Sequence, residues 1–173
     1  MPASLADLRL IVLDVDGVLT DGTVILGHGG EEGEELKAFD LKDGAGLALW
    51  RDAGYQATFL TGRGGAAVRR RARELRIERI WERVSDKLAA FDEILVHFGV
   101  SAAQVAFMGD DLPDLRLFGR AGLCAAPADA CADVLARADL VVRSRGGHGA
   151  VRDLVEHILR ATGRWDALLE RFS

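Results

Sequence analysis

Residues 8–20 read LRLIVLDVDGVLT, a branched apolar run that ends in Asp14 and Asp16. A run that is polar only at its end is typical of a strand covered on both faces, as in a parallel sheet. Because one residue separates the two aspartates, their side chains project to the same side of the strand. This stretch therefore predicts a buried strand with a pair of carboxylates at its carboxyl end.

Similar short apolar runs recur along the chain, at 56–60, 105–108, 122–125 and 140–142. Helix-like segments lie between and after them, at 44–53, 65–75, 87–97, 111–120, 128–138 and 150–162. Strands that alternate with helices indicate an α/β fold, a doubly wound Rossmann-like parallel sheet. A chain of 173 residues has the length of one domain, so we expect a single domain over 1–173.

One interval, residues 21–40, breaks this alternation. It contains TVIL at 23–26 and LKAF at 36–39, on either side of a stretch rich in glycine and glutamate. This pattern predicts a β-hairpin insertion whose glutamates form a solvated polar tip. A single sheet cannot cover all of the apolar side chains of the hairpin, which predicts an interface with another subunit. The alternative is a hairpin that folds back onto its own domain. The apolar side chains are Val24, Ile25, Leu26, Leu36 and Phe39.

The composition excludes several classes of protein. Apolar residues make up 49% of the chain and charged residues 28%, values that predict a packed core. The net charge of −5 gives no positive field that would attract nucleic acid, so we expect no nucleic-acid partner. No apolar run approaches the ~20 residues that span a bilayer, and the first residues lack a secretory pattern. We therefore expect no contact with a membrane. Cys124 and Cys131 fit neither a disulfide scaffold nor a zinc site, so we expect a cytoplasmic protein.

Further polar clusters follow other predicted strands, at 61–63 and 109–111. Since ligands of such sheets bind at the carboxyl ends of the strands, we expect these clusters to converge with the first pair of aspartates. Mutual repulsion among the carboxylates is unfavourable unless a cation such as Mg²⁺ compensates it. We expect Asp110 to be a metal ligand. Asp111 is also suited to capping a helix, and Asp114 is suited to interacting with the dipole of that helix in its first turn.

Four segments occur in an order that resembles the four motifs of the haloacid dehalogenase-like superfamily. They are DVDGVLT at 14–20, Thr61 in LTGR, Lys87 in SDK, and GDDLPD at 109–114. The resemblance covers roughly residues 8–142 and implies a phosphoryl-transfer enzyme with the fold of that superfamily.

The resemblance also implies roles for individual residues. Asp14 is expected to be the nucleophile that forms an aspartyl-phosphate, and Asp16 the general acid and base. Thr61 and Lys87 are expected to bind the transferring phosphoryl group. The metal ligands are expected to be Asp14, Asp16 and Asp110, and the cofactor Mg²⁺. Aspartate at the second position argues for hydrolysis or mutase chemistry.

The intervals between the motifs leave no room for the cap domain that most members of the superfamily carry. The chain thus resembles the capless subgroup of 3-deoxy-D-manno-octulosonate 8-phosphate phosphatases and their sialic-acid-type relatives. Further matches are KDGAG at 42–46, Arg71 eight residues after Arg63, and GGHGAVRD at 146–153. The resemblance implies a homotetramer in which a neighbouring subunit completes each site.

The expected substrate is a small sugar-acid phosphate. Arg63 and Arg71 are candidates for binding its anionic groups, since a planar guanidinium matches carboxylate and phosphate. Gly62, Lys42 and Asp43 are further substrate-binding candidates. Arg71 belongs to a basic run at 69–73. The alternative to substrate binding is that this run forms a solvent-exposed face of a helix.

The subgroup implies hydrolysis of 3-deoxy-D-manno-octulosonate 8-phosphate. One alternative is a phosphatase of a related nonulosonate 9-phosphate, of the KDN or N-acylneuraminate type. Another is a catalytically idle domain that serves as an oligomerisation module. The catalytic residues retained at 14, 16, 61, 87 and 110 argue against the idle module.

Overall fold

The computed structural model describes residues 4–27 and 35–172. These residues form two sheets, one of five strands in the order β4-β1-β5-β6-β7 and one formed by β2 and β3. The strands are β1 (Leu10–Leu13), β2 (Ile25–Leu26), β3 (Glu35–Leu36), β4 (Gln56–Phe59), β5 (Val105–Met108), β6 (Leu123–Ala126) and β7 (Leu140–Val141). The α-helices are α1 (Leu41–Asp52), α2 (Ala66–Glu74), α3 (Lys87–Phe98), α4 (Ala132–Leu135), α5 (Ala150–Ala161) and α6 (Trp165–Leu169).

Strand β1 lies inside the sheet and pairs in parallel with β4 on one side and β5 on the other. Its last residue, Leu13, is in register with Phe59 of β4 and with Met108 of β5. The residues that follow these three strands therefore come together at one edge of the sheet. This register is what brings three polar clusters, far apart in the sequence, to a common place.

Both faces of the sheet are covered. Ile11 and Leu13 belong to a core that includes α1, α2, α5 and α6. Leu10 and Val12 alternate with them and pack in a second core with α3. Burial on both faces explains why the strand is an unbroken apolar run, since every position of it is inside. The predicted α/β fold with a doubly wound parallel sheet is confirmed.

Two predicted helices are shorter in the structure than the sequence indicated. The segment predicted as a helix at 111–120 forms a 3-10 helix over Leu112–Arg116. The Asp114 side chain turns back to accept backbone N–H groups at the start of this turn, and the turn ends at its C-cap, Leu117. Of the helix predicted at 128–138, only α4 is α-helical.

The predicted hairpin is confirmed at its base, where β2 and β3 pair antiparallel with Ile25 opposite Leu36. Its predicted tip, with the glutamates at 31, 32 and 34, lies outside the described residues. Glu35 was predicted to be part of the solvated tip, and this is wrong. Its carboxylate pairs with Lys37 and with Arg63, which draw it toward the main sheet.

Most of the apolar side chains of the hairpin are exposed in the single chain. Leu26 is 76% exposed, and Val24, Ile25 and Leu36 are also exposed. Phe39 is different, because it is partly buried and packs against the core that includes α1 and α5. The apolar side chains of the hairpin strands are therefore not covered by their own domain, whereas Phe39, in the segment that leads into α1, is partly covered by it.

Within the described ranges, 4–27 and 35–172, the hairpin, α1 and β4 lie between the first motif and Thr61, and α2 lies between Thr61 and Lys87, so no cap domain occurs in either interval. None of the helices in this part of the chain has the length and apolar character needed to cross a membrane.

Candidate active site

An open pocket of about 560 Å³ lies where β1, β4 and β5 end. It contains most of the site residues predicted from the sequence. Those that line it are Asp14, Asp16, Thr61, Gly62, Arg63, Lys87 and Asp110.

Asp14 is placed directly after β1, where its backbone N–H donates to the carbonyl of Met108 (3.0 Å). Its Oδ2 lies 2.8 Å from Nζ of Lys87, and its Oδ1 accepts the N–H of Val15 (2.7 Å). The side chain is almost completely buried. Two donors therefore fix the plane of this carboxylate at the base of the pocket.

Lys87 is the first residue of α3, and its Nζ lies between two carboxylates. Besides Asp14, it contacts Oδ1 of Asp114 at 2.6 Å. The other oxygen of Asp114 accepts the backbone N–H groups of Asp110 (3.0 Å) and Asp111 (3.3 Å). Asp114 thus ties the turn after β5 to Lys87. Asp111 is the helix cap and Asp114 a first-turn acid, as the sequence predicted, but the pairing of Asp114 with Lys87 was not predicted.

Three carboxylates form a cluster that is suited to a metal ion. Oxygen atoms of Asp14, Asp110 and Asp114 all lie within 4.8 Å of one another. Oδ1 of Asp110 is buried and accepts no hydrogen bond from the described residues. Leaving a buried carboxylate oxygen unsatisfied is unfavourable, and a divalent cation with oxygen ligands would satisfy it. The residues present therefore fit Mg²⁺.

The acidic cluster differs in one member from the predicted ligands, which were Asp14, Asp16 and Asp110. Asp16 lines the same pocket, but its carboxylate is not part of the cluster, and Asp114 takes that place. The reason is that Asp16 turns toward the hairpin, where Lys37 pairs with it.

Electrostatics at this cluster favour added positive charge. Burial raises the pKa of Asp14 to about 6, although the neighbouring Lys87 opposes the shift. Burial, together with the charges of Asp14 and Asp114, raises the pKa of Asp110 to about 7. Burial alone would lower the pKa of Lys87, but the two carboxylates beside it raise that pKa above its ordinary value. One lysine therefore does not neutralise the acidic groups packed around it.

The glycine of the DVDG motif is required by the packing of the site. Gly17 has a φ of 85°, and a Cβ on this residue would lie 2.0 Å from Oδ2 of Asp110. A side chain here would push Asp110 out of the pocket. The close approach explains why the chain turns on a glycine directly after Asp16.

Four charged residues connect the pocket to the base of the hairpin; we call them the hairpin-base cluster. They are Asp16, Glu35, Lys37 and Arg63. Lys37 pairs with Asp16 and lies 2.6 Å from Oε1 of Glu35. Arg63 lies 2.8 Å from Oε2 of Glu35 and 3.9 Å from Oδ2 of Asp16. The side chain of Lys37 is only 2% exposed and that of Arg63 is 52% exposed, so the cluster is shielded from solvent at Lys37 and open to it at Arg63.

Glu35 and Lys37 were not predicted from the sequence as members of the site. A weak signal was present, because residues 35 and 37 of an extended strand lie on the same face. Glu35 and Lys37 carry opposite charges, so on one face they are able to pair with each other and with further charged side chains.

Thr61 follows β4 and is buried in the pocket. Its N–H donates to the carbonyl of Trp81 (2.9 Å), and its Oγ1 accepts the N–H of Arg63 (3.1 Å). These bonds hold Thr61 and Arg63 together on one short loop.

Arg71, Lys42 and Asp43 are not among the residues that line the pocket. Arg71 donates to the carbonyl of Asp40 (3.0 Å) and lies over the ring of Phe39, beside a separate groove between β3 and α2. Lys42 is exposed in the first turn of α1. The structure thus separates these three candidates from Arg63 within one chain.

Asp43 has a structural environment of its own. It is 1% exposed and accepts the backbone N–H groups of Gly149 (3.3 Å) and Arg152 (2.9 Å) at the start of α5. Burial raises its pKa to about 6. Its carboxylate joins α1 to α5 and does not face the pocket.

Comparisons with known proteins agree with this geometry. A profile described as haloacid dehalogenase-like hydrolase matches residues 76–154. The 3-deoxy-D-manno-octulosonate 8-phosphate phosphatase of Escherichia coli K12 is 39% identical over 164 residues, which are 95% of this chain and 86% of that protein. The chain belongs to the haloacid dehalogenase-like hydrolase family. It is a phosphoric monoester hydrolase, as predicted, and is called the phosphatase below.

Solved structures place the phosphatase among capless members of the family. The 3-deoxy-D-manno-octulosonate 8-phosphate phosphatase of Moraxella catarrhalis, in complex with magnesium, phosphate and KDO, superposes with a TM-score of 0.92 at 37% identity. That comparison covers 98% of this chain and 96% of the other. The enzyme of the same name from Yersinia pestis has a TM-score of 0.89 at 38% identity, over 94% and 86% of the two chains.

Proposed function

We propose that the phosphatase hydrolyses 3-deoxy-D-manno-octulosonate 8-phosphate to the free sugar acid (KDO) and inorganic phosphate. The observation that carries this proposal is one pocket that holds Asp14, Lys87 and Asp110, in a chain similar over 95% of its length to an enzyme of that name. The KDO and phosphate in the Moraxella catarrhalis structure further support the proposal.

The cofactor in this proposal is Mg²⁺, held by Asp110 and Asp14 with Asp114 beside them. When bound, Mg²⁺ neutralises negative charge on the phosphoryl group and on the carboxylates. The unpartnered oxygen of Asp110 supports this assignment, because it is buried where an oxygen-binding cation is needed.

In the first half of the proposed reaction, a carboxylate oxygen of Asp14 attacks phosphorus. A phosphorus–oxygen bond forms as the bond to the sugar oxygen breaks, which gives an aspartyl-phosphate. Asp16 donates a proton to the departing sugar alkoxide. Lys87 and Thr61 donate hydrogen bonds to the oxygens of the transferring group, where negative charge is spread in the transition state.

In the second half, Asp16 takes a proton from a water molecule that attacks phosphorus. The bond between Asp14 and phosphorus breaks, and phosphate leaves. Asp16 lies in the same pocket as Asp14, two residues along the chain, which supports both of its roles. Lys87 remains paired with Asp14 and keeps the carboxylate in position for the next cycle.

Arg63 is proposed to bind an anionic group of the substrate, such as its carboxylate. It lines the pocket, and its side chain is about half exposed there, so a substrate is able to reach the guanidinium. In the single chain Arg63 donates a hydrogen bond to the Glu35 carboxylate (2.8 Å), a contact that supports a role in binding a carboxylate of the substrate.

We propose a homotetramer in which a neighbouring subunit covers the pocket and completes the site. Two observations support this assembly. The pocket is open in the single chain, and the hairpin strands beside it expose Ile25, Leu26 and Leu36. A contiguous exposed apolar surface of this kind marks an interface. A partner over the pocket would also limit the access of water and of unrelated phosphoesters.

We further propose that the phosphatase is cytoplasmic and that residues 1–173 form one domain. Cys124 and Cys131 are both free thiols, as is usual in a reducing compartment. The five-stranded sheet takes strands from residue 10 to residue 141, so the described chain shares one central sheet.

The proposed function is tested by rates of phosphate release from three substrates with Mg²⁺. They are 3-deoxy-D-manno-octulosonate 8-phosphate, a nonulosonate 9-phosphate and glucose 6-phosphate. We expect the largest kcat/KM for the first. A larger value for the nonulosonate would replace the proposed substrate with that alternative. An aryl phosphate serves as the fourth substrate, and lack of turnover of all four would identify a catalytically idle module.

A further inference from the structure

Three of the five residues in the loop that carries Arg63 are glycines. Its sequence is TGRGG, so Arg63 lies between Gly62 on one side and Gly64 and Gly65 on the other. Glycines leave the backbone many conformations, so such a loop does not fix the direction of an arginine by itself. Glu35 and Asp16 hold the guanidinium end of Arg63, and another part of the chain must restrain the backbone of the loop.

Segment 81–84 provides that restraint along the backbone. The carbonyl of Trp81 accepts the N–H of Thr61 (2.9 Å), and the N–H of Val84 donates to the carbonyl of Thr61 (3.1 Å). The N–H of Arg83 donates to the carbonyl of Arg63 (2.8 Å). The loop is therefore held against segment 81–84 on both sides of Gly62.

The glycine pair after Arg63 is held by a side chain, that of Glu82. Its Oε2 accepts the N–H of Gly65 (3.0 Å), and its Oε1 accepts a hydrogen bond from Arg69 of α2 (2.7 Å). A Cβ on Gly64 would lie 2.4 Å from Oε2 of Glu82, so the carboxylate rests directly on the backbone of Gly64. The Glu82 side chain is 21% exposed, which partly shields these bonds from water.

The backbone around Glu82 is itself unusual. Arg83 has a φ of 57°, in the left-handed region that non-glycine residues seldom adopt. Such a conformation persists only where the surrounding contacts hold it. Two hydrogen bonds accompany the left-handed conformation of Arg83. Its N–H donates to the carbonyl of Arg63, and the N–H of Gly65 donates to the Glu82 carboxylate.

We propose that Glu82 is a positioning residue, which holds the Gly64–Gly65 pair so that Arg63 points into the pocket. This inference rests on the proposed function, in which Arg63 binds the carboxylate of the substrate. Glu82 touches neither the substrate nor the reacting atoms. It acts through the loop, as a fixed anchor between segment 81–84 and the start of α2.

A purely structural role for Glu82 is the competing explanation, because the same hydrogen bond caps α2. The N-cap residue of that helix, Gly65, has no side chain of its own to cap it. Loss of a helix cap lowers stability but does not distinguish one substrate from another. Loss of the position of Arg63 affects only substrates that Arg63 binds, and this difference separates the two explanations.

The experiment compares Glu82→Ala with Glu82→Gln and with Glu78→Ala, an exposed glutamate four residues earlier. Each variant is assayed with 3-deoxy-D-manno-octulosonate 8-phosphate and with 4-nitrophenyl phosphate, which has no carboxylate. For Glu82→Ala we expect KM to rise roughly tenfold on the sugar-acid phosphate, and no more than twofold on the aryl phosphate. Glu82→Gln keeps an acceptor for Gly65 and should stay within twofold of the parent, as should Glu78→Ala. Equal losses on both substrates would overturn the proposal in favour of the structural role.

Two further variants complete the test. Gly64→Ala places a methyl group against the Glu82 carboxylate and should reproduce the KM increase, even if Glu82→Ala does not fold. Arg63→Ala should raise KM on the sugar-acid phosphate, and adding Glu82→Ala to it should have little further effect. Full additivity of the two changes would contradict action through Arg63. If Arg63→Ala itself leaves both substrates unaffected, the failure lies in the proposed role of Arg63. If Arg63→Ala matters and neither Glu82→Ala nor Gly64→Ala does, the failure lies in the inference about Glu82.

Discussion

Asp14 is both a buried group and the proposed nucleophile, so a substitution there tests chemistry with little change in packing. Asparagine has almost the same shape, and Lys87 remains paired with Asp114 in the variant. We expect Asp14→Asn to abolish phosphate release, because an amide does not attack phosphorus. Steady-state assays with the sugar-acid phosphate measure the loss, and circular dichroism establishes that the fold is kept.

The matched control for Asp14→Asn is Asp133→Asn, at an exposed position of α4. It should retain the parent activity. Retention of full activity by Asp14→Asn would exclude Asp14 as nucleophile.

Lys87 is the cation on which the acidic cluster depends when no metal is bound. Removing one partner from a buried ion pair leaves charge uncompensated, which typically destabilises a protein by about 3–5 kcal/mol. We expect Lys87→Met to lower the free energy of unfolding by about 3 kcal/mol at pH 7, because Asp14 and Asp114 then face each other unpaired. Urea unfolding without added metal measures this change.

Arg137→Ala is the control for Lys87→Met. It removes an exposed ion pair with Asp133 on α4, where the expected change is below about 0.5 kcal/mol. Similar stability changes in the two variants would mean that Lys87 is not an essential partner of the buried carboxylates.

Among individual residues, those that directly follow the ends of strands were predicted from the sequence. Residues whose place in the site depends on the direction of a side chain were not. Asp14, Thr61 and Asp110 line the pocket as expected, because parallel strands bring their carboxyl ends to one edge. Lys37 joins the hairpin-base cluster because it pairs with Asp16, 21 residues earlier in the chain, and no local pattern encodes this contact. The roles of all these residues stay predictions until the variants are assayed.

At the scale of elements, Asp43 joins two helices that are remote in the sequence. It belongs to α1, and it accepts backbone N–H groups from the first turn of α5. Its pKa is about 6 in the folded state, against an ordinary value of 3.8. The folded protein therefore binds a proton here more tightly than the unfolded chain does.

The sign of the pH dependence follows from this difference in proton binding. The stabilisation that protonated Asp43 contributes is complete below about pH 4 and is lost as the pH rises through about 6. An asparagine side chain does not titrate, so the Asp43→Asn variant should gain stability relative to the parent between pH 4 and pH 7. The gain cannot exceed about 1.4 kcal/mol per pH unit for one proton.

Urea unfolding of parent and Asp43→Asn at pH 4, 5, 6 and 7 measures this trend. The amide also places a donor near the N–H of Gly149, an effect that is the same at every pH and shifts all four values alike. A variant that loses stability relative to the parent as pH rises would contradict the raised pKa.

Strands that form continuous apolar runs were predicted well, and short irregular elements were not. The strands inside the sheet are buried on both faces, and this alone makes them visible as apolar runs. The turn at Leu112–Arg116 was predicted as part of a longer helix, because its residues suit a helix locally. Its length is set instead by Asp114, whose side chain turns back toward Lys87 and the preceding N–H groups.

At the scale of the whole molecule, the exposed apolar side chains of β2 and β3 should control assembly. Leu26 is 76% exposed in the single chain, and burying such a side chain at an interface contributes about 2 kcal/mol. We expect Leu26→Asp to reduce the proposed tetramer to smaller species and to raise KM. Light scattering coupled to size exclusion gives the mass, and parallel assays give KM.

Val96→Asp is the control for assembly, since Val96 is 83% exposed on α3, away from the hairpin. It should leave both mass and KM unchanged. A fully active monomer, whether parent or variant, would remove the idea of a shared site.

The hairpin forms a small sheet of its own. Residues 14–24 connect it to β1 and residues 37–40 connect it to α1, and the charges of the hairpin-base cluster also hold it to the rest of the chain. Such an arrangement is modular. Exchange of this segment for the corresponding one of another family member should leave the catalytic scaffold folded. In the proposed assembly, the subunit that docks on the hairpin also covers the pocket. We therefore expect such chimeras to change the choice of subunit partner and the substrate preference together.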